Sequence, residues 1–460
     1  MNRITKAEVD AFLEAHPDIN AIDMMIPDAA GVLRGKRLAR EGVSKLYKDG
    51  VRIPSSTYLM ETCGQNSPNI PYGTEDCDPD LACFGAAGTL KPVPWAEGQI
   101  GQVIASMEED DGTPFFGDPR HILERALQPF KDMGLTPVVA IELEFYLLDR
   151  KLNKQGMARA AKSDTMGRRQ TQAQVYGIEE LYEFESLLEE INQACLIQGL
   201  PTDTVISEYA PCQYEINLNH VGDALQACDD ALMLKRLVKG VARKHGYTAT
   251  FMAKPFADQS GNGMHIHSSV VDEDGNNFFS DKIDEETGYP MGDNLRYAIG
   301  GLKATMAEGM AFFAPNANSY RRFQPGAYAP INTAWGTNNR TVSLRVPHCD
   351  KKSVRVEHRP AGADANPYLT MAAVVAGMHY GIANKVHPGP MEKGDAYKNP
   401  TSDLPVRWAQ ALGLFNQGTV LKTYLGEHYC EIYEKIKWGE YDYCSSTITP
   451  LDFELYMHSV

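Results

Sequence analysis

PVVAIELEFYLLD, residues 137–149, decides how the rest of the chain reads. Side chains alternate between the two faces of a strand. Glu142 and Glu144 therefore share one face, and Ile141, Leu143 and Phe145 share the other. The segment is expected to be a strand with an apolar face on a core and an acidic face turned to a cavity or to solvent. The same period recurs downstream. In SEYAPCQYEINL (207–218) it sets Glu215 beside Gln213 and Asn217, with Glu208 just ahead. In GNGMHIH (261–267) it sets His265 beside His267, and in RVEHR (355–359) it sets Glu357 between Arg355 and Arg359. For any one strand a solvated polar face is the simpler reading. Four such strands carrying repeated Glu and His instead predict converging faces around one carboxylate-lined cavity.

Carboxylates do not crowd without compensation. Like charges facing each other across strands destabilise a sheet, and one member of a close pair stays protonated. Divalent cations reverse that logic. Metals held by Glu and His, with Arg340, Arg345 and Arg359 nearby in sequence, read as a site for ATP phosphoryl transfer.

The 460 residues exceed one ordinary core and predict two domains, one of them large. Composition is that of a globular protein, 43% hydrophobic and 23% charged. A net charge of −16 argues against nucleic acid or an anionic membrane as the main partner. No apolar run approaches the ~18 residues of a membrane span. The N-terminus reads as a short amphipathic helix without a signal core. The nine cysteines are scattered without a CxxC pair and read as reduced thiols, so a cytoplasmic location is expected.

Residues 22–107 hold short strand-like runs broken by Gly and Pro, which predicts a small β-rich domain ending near 111–118. The boundary is set at 113/114. PRHILERALQPFKDMG (119–134) reads as a helix with Pro119 in its first turn. The polar stretch 150–176 reads as a surface or channel-lining loop. Leu181, Phe184, Leu188 and Ile191 predict one amphipathic helix, and 222–245 a second, both outside a sheet. NSYRRFQPGAYAP (318–330) reads as a lid loop, with a surface loop carrying two solvated arginines, Arg321 and Arg322, as the simpler alternative. The fold class expected is α+β: a small N-terminal domain, then a large domain whose antiparallel sheet lines the cavity, with helices outside.

These runs together resemble the glutamine synthetases of the bacterial type I class over nearly the whole length. KPFADQSGNGMHIH (254–267) resembles that family's ATP-site signature, and NSYRRFQPG its glutamate-binding loop. NRTVSLRVP (339–347) and RVEHRPAGADANPYL (355–369) resemble its phosphate-site and metal-site strands, and DFELYMHSV (452–460) its tail. The resemblance implies an N-terminal β-grasp domain and a catalytic domain lining a two-metal funnel. It implies that Glu144, Glu208 and Glu215 hold one Mg²⁺ or Mn²⁺, and that Glu142, His265 and Glu357 hold a second; two or three ions per site are expected. It implies that Arg322 holds the glutamate α-carboxylate with backbone contact from Gly261, and that Arg340, Arg345, Arg355 and Arg359 contact phosphate. His267 and Ser269 fall where the nucleotide is held. It also implies a dodecamer of two hexameric rings, with each active site between neighbouring subunits. The chemistry follows physically: a carboxylate is a poor acyl donor, and transfer of the ATP γ-phosphoryl turns glutamate into an acyl phosphate that an amine attacks.

Two positions depart from glutamine synthetase proper. The flap run PGYEAP is PGAYAP here, placing Tyr328 where an ammonium-binding Glu is expected. The FDGSS-like loop is RIPSS, with Pro54 and Ser55 in place of the Asp. Neither substitute is a carboxylate. The departures resemble the γ-glutamylpolyamine synthetase branch, which predicts ligation of glutamate to putrescine or another polyamine in polyamine catabolism. Tyr328 and the loop from Pro54 are then expected to shape the entrance for an alkyl chain, and Glu61 to meet the distal ammonium. The alternatives are a monoalkylamine such as methylamine, ethanolamine or isopropylamine, glutamine synthesis itself, and a silent regulatory relative. Tyr397, in GDAYKNP, lies near where some type I members are adenylylated, but its surroundings differ and a surface tyrosine is expected.

Overall fold

The structure is a computed structural model, and it describes residues 2–163, 165–172, 174–324, 327–398 and 403–460. Two sheets organise it. The first comprises β1 (Ala21–Pro27), β2 (Leu33–Ala39), β3 (Val51–Pro54), β4 (Asp80–Gly85), β5 (Lys91–Pro92) and β6 (Ile100–Glu108). Its order is β2-β1-β6-β4-β3, with β5 on β6; β1 and β6 run parallel. Alternation drives the packing: Ile22, Met24 and Ile26 of β1 join Val103, Ala105 and Met107 of β6 and Val9 and Phe12 of the helix Lys6–Ala15. Ile432 and Ile436 complete that cluster from the helix Glu427–Ser446, so the far end of the chain closes over the small sheet.

The second sheet comprises β7 (Thr136–Asp149), β8 (Thr202–Ser207), β9 (Gln213–Leu218), β10 (Tyr247–Thr250), β11 (Met264–Val271), β12 (Trp335–Thr337), β13 (Leu344–Val346) and β14 (Val356–His358). Its order is β12-β13-β14-β11-β7-β9-β8, with β10 on β7. It is antiparallel, as expected, except that β12 and β13 are parallel. The fold is thus α+β, with Ile141, Leu143 and Phe145 fully buried against helices on the outer face. The helix Ala224–Lys244 packs on β7 and β10, capped by Asp223 accepting from Leu225 and Gln226 N–H. The helices Asp293–Phe313 and Pro367–Asn384 press together where a Cβ on Gly301 would meet the Gly377 carbonyl at 2.1 Å, a spacing only glycine permits.

One helix expectation is corrected. Leu181, Phe184, Leu188 and Ile191 do not lie on one continuous helix; the chain breaks between Ile178–Tyr182 and Glu185–Gln198. At the break the Phe184 ring lies edge-on to Tyr214 and Tyr247, at 6.1 and 5.4 Å, contacts comparable in worth to a helical hydrogen bond. All nine cysteines are free thiols, and no helix of the described residues is long and apolar enough to cross a membrane.

Candidate active site

β7 is the axis of the site. Its register sets Glu144 directly opposite Glu215 on β9, and Glu142 opposite His265 on β11. On the next pair, His267 faces Glu357 of β14, which in turn faces Arg345 of β13. Sheet pairing therefore brings ionisable side chains from five strands onto one surface. Of these, Glu142, Glu144, Glu215, His265, Arg345 and Glu357 line a cavity of about 430 Å³ together with Glu208, Gly261, Arg322, Tyr328, Arg340 and Arg359.

The carboxylates divide electrostatically. Glu144, Glu208 and Glu215 offer ligand atoms that all lie within 4.8 Å of one another. Burial, and then Glu144, push the Glu208 carboxyl up to about 7. Burial, then Glu142, Glu144 and Glu208, push Glu215 well above the carboxylate range. Glu142 behaves oppositely. Burial opposes its ionisation, but His265 Nδ1 donates to it at 3.2 Å and His267 Nε2 at 2.9 Å, and these bonds hold its carboxyl low. Glu357 is held near 2 because Arg359 and both histidines outweigh its burial. Its two oxygens accept from Arg345 Nη1, at 2.8 Å, and from Arg359.

The donor set fits two or more hard divalent cations: one group of three carboxylates that do not all ionise unaided, and groups around Glu142 that each add one imidazole. The second grouping differs from the expected one. Glu142 groups with His267 and Glu357, and separately with Glu215 and His265. His265 Nδ1 stands 3.8 Å from Glu357, because Glu357 is taken by its two arginines and Glu142 bridges both imidazoles.

The glutamate-side residues are held from behind. Arg322 is almost fully buried, contrary to the surface-loop alternative, while Arg321 is exposed. Arg322 Nη1 donates to the Pro360 carbonyl at 2.8 Å. Its stem lies over Gly261, where a Cβ would fall 2.7 Å from Arg322 Cγ. Gln213 Nε2 donates to the Gly261 carbonyl and to Asn262 Oδ1, each at 3.0 Å, which fixes the GNG turn. At the rim, Tyr328 is 57% exposed, with φ +50°, and stands edge-on to Tyr397 at 6.3 Å. Tyr397 is not a surface tyrosine. Its hydroxyl is enclosed without a hydrogen-bond partner, and burial, against the pull of Arg359 and Arg322, raises it to about 12.

Some expected residues stand apart. His267, Arg355 and Ser269 do not line the cavity: Arg355 Nε donates to His267 Nδ1 at 3.1 Å, and Ser269 is buried one step further along β11. Pro54 ends β3 of the first sheet, Ser55 (buried) and Glu61 follow it, and within one chain they do not reach the cavity. Pro325 and Gly326 of the flap run and 399–402 lie outside the described residues. Sequence reading missed Tyr176, Tyr209 and Ser260 in the lining, and His220, edge-on to His267 at 6.1 Å. Tyr209 had a signal in its place directly after Glu208; Tyr176 had one only as the end of the stretch 150–176, read as a surface or channel-lining loop, where it was not singled out.

Residues 116–456 match the family model described as glutamine synthetase, catalytic domain. The chain belongs to that family. It is 41% identical to gamma-glutamylputrescine synthetase PuuA of Escherichia coli over 447 residues, spanning 97% of this chain and 93% of that protein. It is 31% identical to a glutamate–isopropylamine ligase of a Pseudomonas species, spanning 98% and 97%. Among solved structures, a GmaS/ADP complex superposes with a TM-score of 0.84 at 26% identity, covering 98% of this chain and 99% of that one.

Proposed function

We propose that this protein is a ligase that uses ATP to join the γ-carboxylate of glutamate to a primary amine through γ-glutamyl phosphate, with putrescine or another polyamine as the amine. The observation that carries the reading is the contrast within one cavity. Carboxylates, His265 and arginines suited to phosphoryl transfer line its floor, while the rim position expected to hold ammonium is Tyr328. Similarity to gamma-glutamylputrescine synthetase supports the amine assignment.

Magnesium or manganese, held by Glu144, Glu208 and Glu215 and by the groupings around Glu142, would neutralise phosphate and carboxylate charge. Arg322 fixes the α-carboxylate of glutamate and so aims the γ-carboxylate at the phosphate. Arg340, Arg345 and Arg359 stabilise the negative charge on the transferred phosphoryl group. The γ-carboxylate oxygen attacks phosphorus and ADP leaves; the amine nitrogen then attacks the acyl carbon, and phosphate leaves. Tyr328 and Tyr397 narrow the rim and limit water, which would otherwise hydrolyse the acyl phosphate. His267, Ser269 and Arg355 are assigned to the nucleotide end.

Residues 1–113 are read as a domain whose loop of Pro54, Ser55 and Glu61 completes the amine entrance of a neighbouring copy, in a dodecamer. Two features support this. The small domain lends nothing to its own chain's cavity, and the C-terminal run exposes Leu451, Phe453, Leu455, Tyr456 and Met457, an apolar patch suited to association.

The test is ADP and phosphate release from ATP, Mg²⁺ and glutamate, with ammonium, putrescine, spermidine, ethanolamine, methylamine and isopropylamine offered separately and the product weighed by mass spectrometry. Diamine turnover well above ammonium and monoamines supports the reading. Monoamine preference, which the isopropylamine ligase likeness favours, keeps the mechanism and changes the substrate. Ammonium as best substrate overturns the role of Tyr328.

A further inference from the structure

A second cavity, about 750 Å³, lies between residues 30–33 of the small domain and the helix Ala224–Lys244 of the large one. Its volume is within the range of small-molecule sites. Five cations line it, Lys235, Arg236, Lys239, Arg243 and Lys437, against one carboxylate, Asp364. In a chain of net charge −16 this is a local inversion of sign.

Two of the five are paired within the chain. Arg236 holds Asp23 at 2.6 Å, and Lys437 holds Glu440 at 2.9 Å. Lys235, Lys239 and Arg243 make no ion pair among the described residues. They fall at i, i+4 and i+8, on one helix face, where like charges repel. Lys235 is only 8% exposed, and its ammonium donates to one group, the Ala365 carbonyl at 3.2 Å. Asp364, whose Oδ2 accepts from Asn316 and Ser319, is the one carboxylate facing the row, and its single charge offsets only part of it. Lys235 and Lys239 each lie 5.6 Å from the Phe251 ring, a weak compensation for a buried ammonium. Burial and the neighbouring Lys239 lower Lys235 to about 7, and Asp364 only partly opposes them.

We infer that this cavity binds a small phosphorylated polyanion, with its phosphoryl groups along the row Lys235–Lys239–Arg243. The charges step by about 6 Å per turn and span about 12 Å, which suits a chain of linked phosphates rather than a single compact anion. Lysine supplies point charges to phosphate and arginine a bidentate fork. The cavity adjoins Asn316 and Asn318, immediately before the turn Ser319–Arg322, so its occupant touches the segment that carries Arg322. The site is separate from the cavity around Glu142 and does not depend on the amine assignment.

Calorimetric titration of the full-length assembled protein with tripolyphosphate, in EDTA so that no metal draws phosphate to the other cavity, tests this. One saturable site per chain is expected. Affinity should fall about tenfold or more in the double variant Lys239→Gln/Arg243→Gln, whose side chains are exposed and whose folding is not at risk, and should hold in Arg345→Gln. It should also weaken with added salt. Absence of saturable binding, loss in Arg345→Gln but not in the double variant, or citrate binding more tightly than tripolyphosphate would each overturn the inference.

Discussion

Replacing Gly261 by alanine should disable glutamate binding with one methyl group. The added Cβ falls 2.5 Å from the Ala253 carbonyl oxygen, 2.7 Å from Arg322 Cγ and 3.1 Å from Arg322 Cδ. The carbonyl has little freedom to retreat, because it accepts from Asn262 N–H at 2.8 Å. Arg322 must therefore give way, by roughly 1 Å to restore ordinary van der Waals contact. Its guanidinium is anchored at the Pro360 carbonyl and cannot follow without losing that bond. A charge-assisted pair with the substrate carboxylate is worth about 1.5–3 kcal/mol, so the KM for glutamate should rise about ten- to a hundredfold. The KM for ATP should stay within about twofold, since Arg345 and Arg359 are braced on Glu357 instead. Initial rates with each substrate varied separately measure the split, and Arg322→Lys should move the same parameter. Overpacking costs about 1–3 kcal/mol, so a melting curve must accompany the kinetics. A well-folded Gly261→Ala enzyme with unchanged glutamate KM would refute the placement of Arg322.

Three further outcomes are expected. Glu215→Gln should raise the melting temperature of the EDTA-treated protein, because it removes one of three crowded carboxylates, and should abolish most of the rise that Mg²⁺ produces, on the order of 2.7 kcal/mol at about a hundredfold excess over Kd; an intact Mg²⁺ response would remove Glu215 from the metal group. Burial raises Glu308 to about 7, so its protonated form stabilises the fold fully below about pH 4.5, and this contribution fades as pH rises through 7. Denaturant unfolding should then find Glu308→Gln more stable than the parent at pH 9, by on the order of 3 kcal/mol, and equal to it near pH 5; parallel pH profiles would count against the burial argument. Tyr397→Phe should leave stability and kinetics unchanged, since its hydroxyl has no hydrogen-bond partner among the described residues, whereas Tyr397→Ala should raise the amine KM severalfold by freeing Tyr328; equal behaviour of the two variants would dismiss the ring contact.

The sequence by itself determined the strand faces. A period of two in IELEFY, QYEIN and MHIH is enough to say which side chains share a surface, because backbone geometry imposes it locally. It determined the family in the same way, through long ordered motifs. Pairing was a different matter. That Glu144 meets Glu215, or Glu142 meets His265, depends on register between segments 71 and 123 residues apart, and only the folded sheet decides it. The tertiary structure also decided that Arg322 is buried rather than solvated, that Tyr397 is enclosed against Tyr328, and that His267 and His265 share Glu142 through its two oxygens. The basic cavity was illegible for the same reason. Lys235, Lys239 and Arg243 look like the solvated face of an amphipathic helix until packing buries Lys235 and sets residues 30–33 beside the row. Periodicity is a property of neighbours along the chain, whereas desolvation and the loss of counter-charges depend on which distant segments pack alongside.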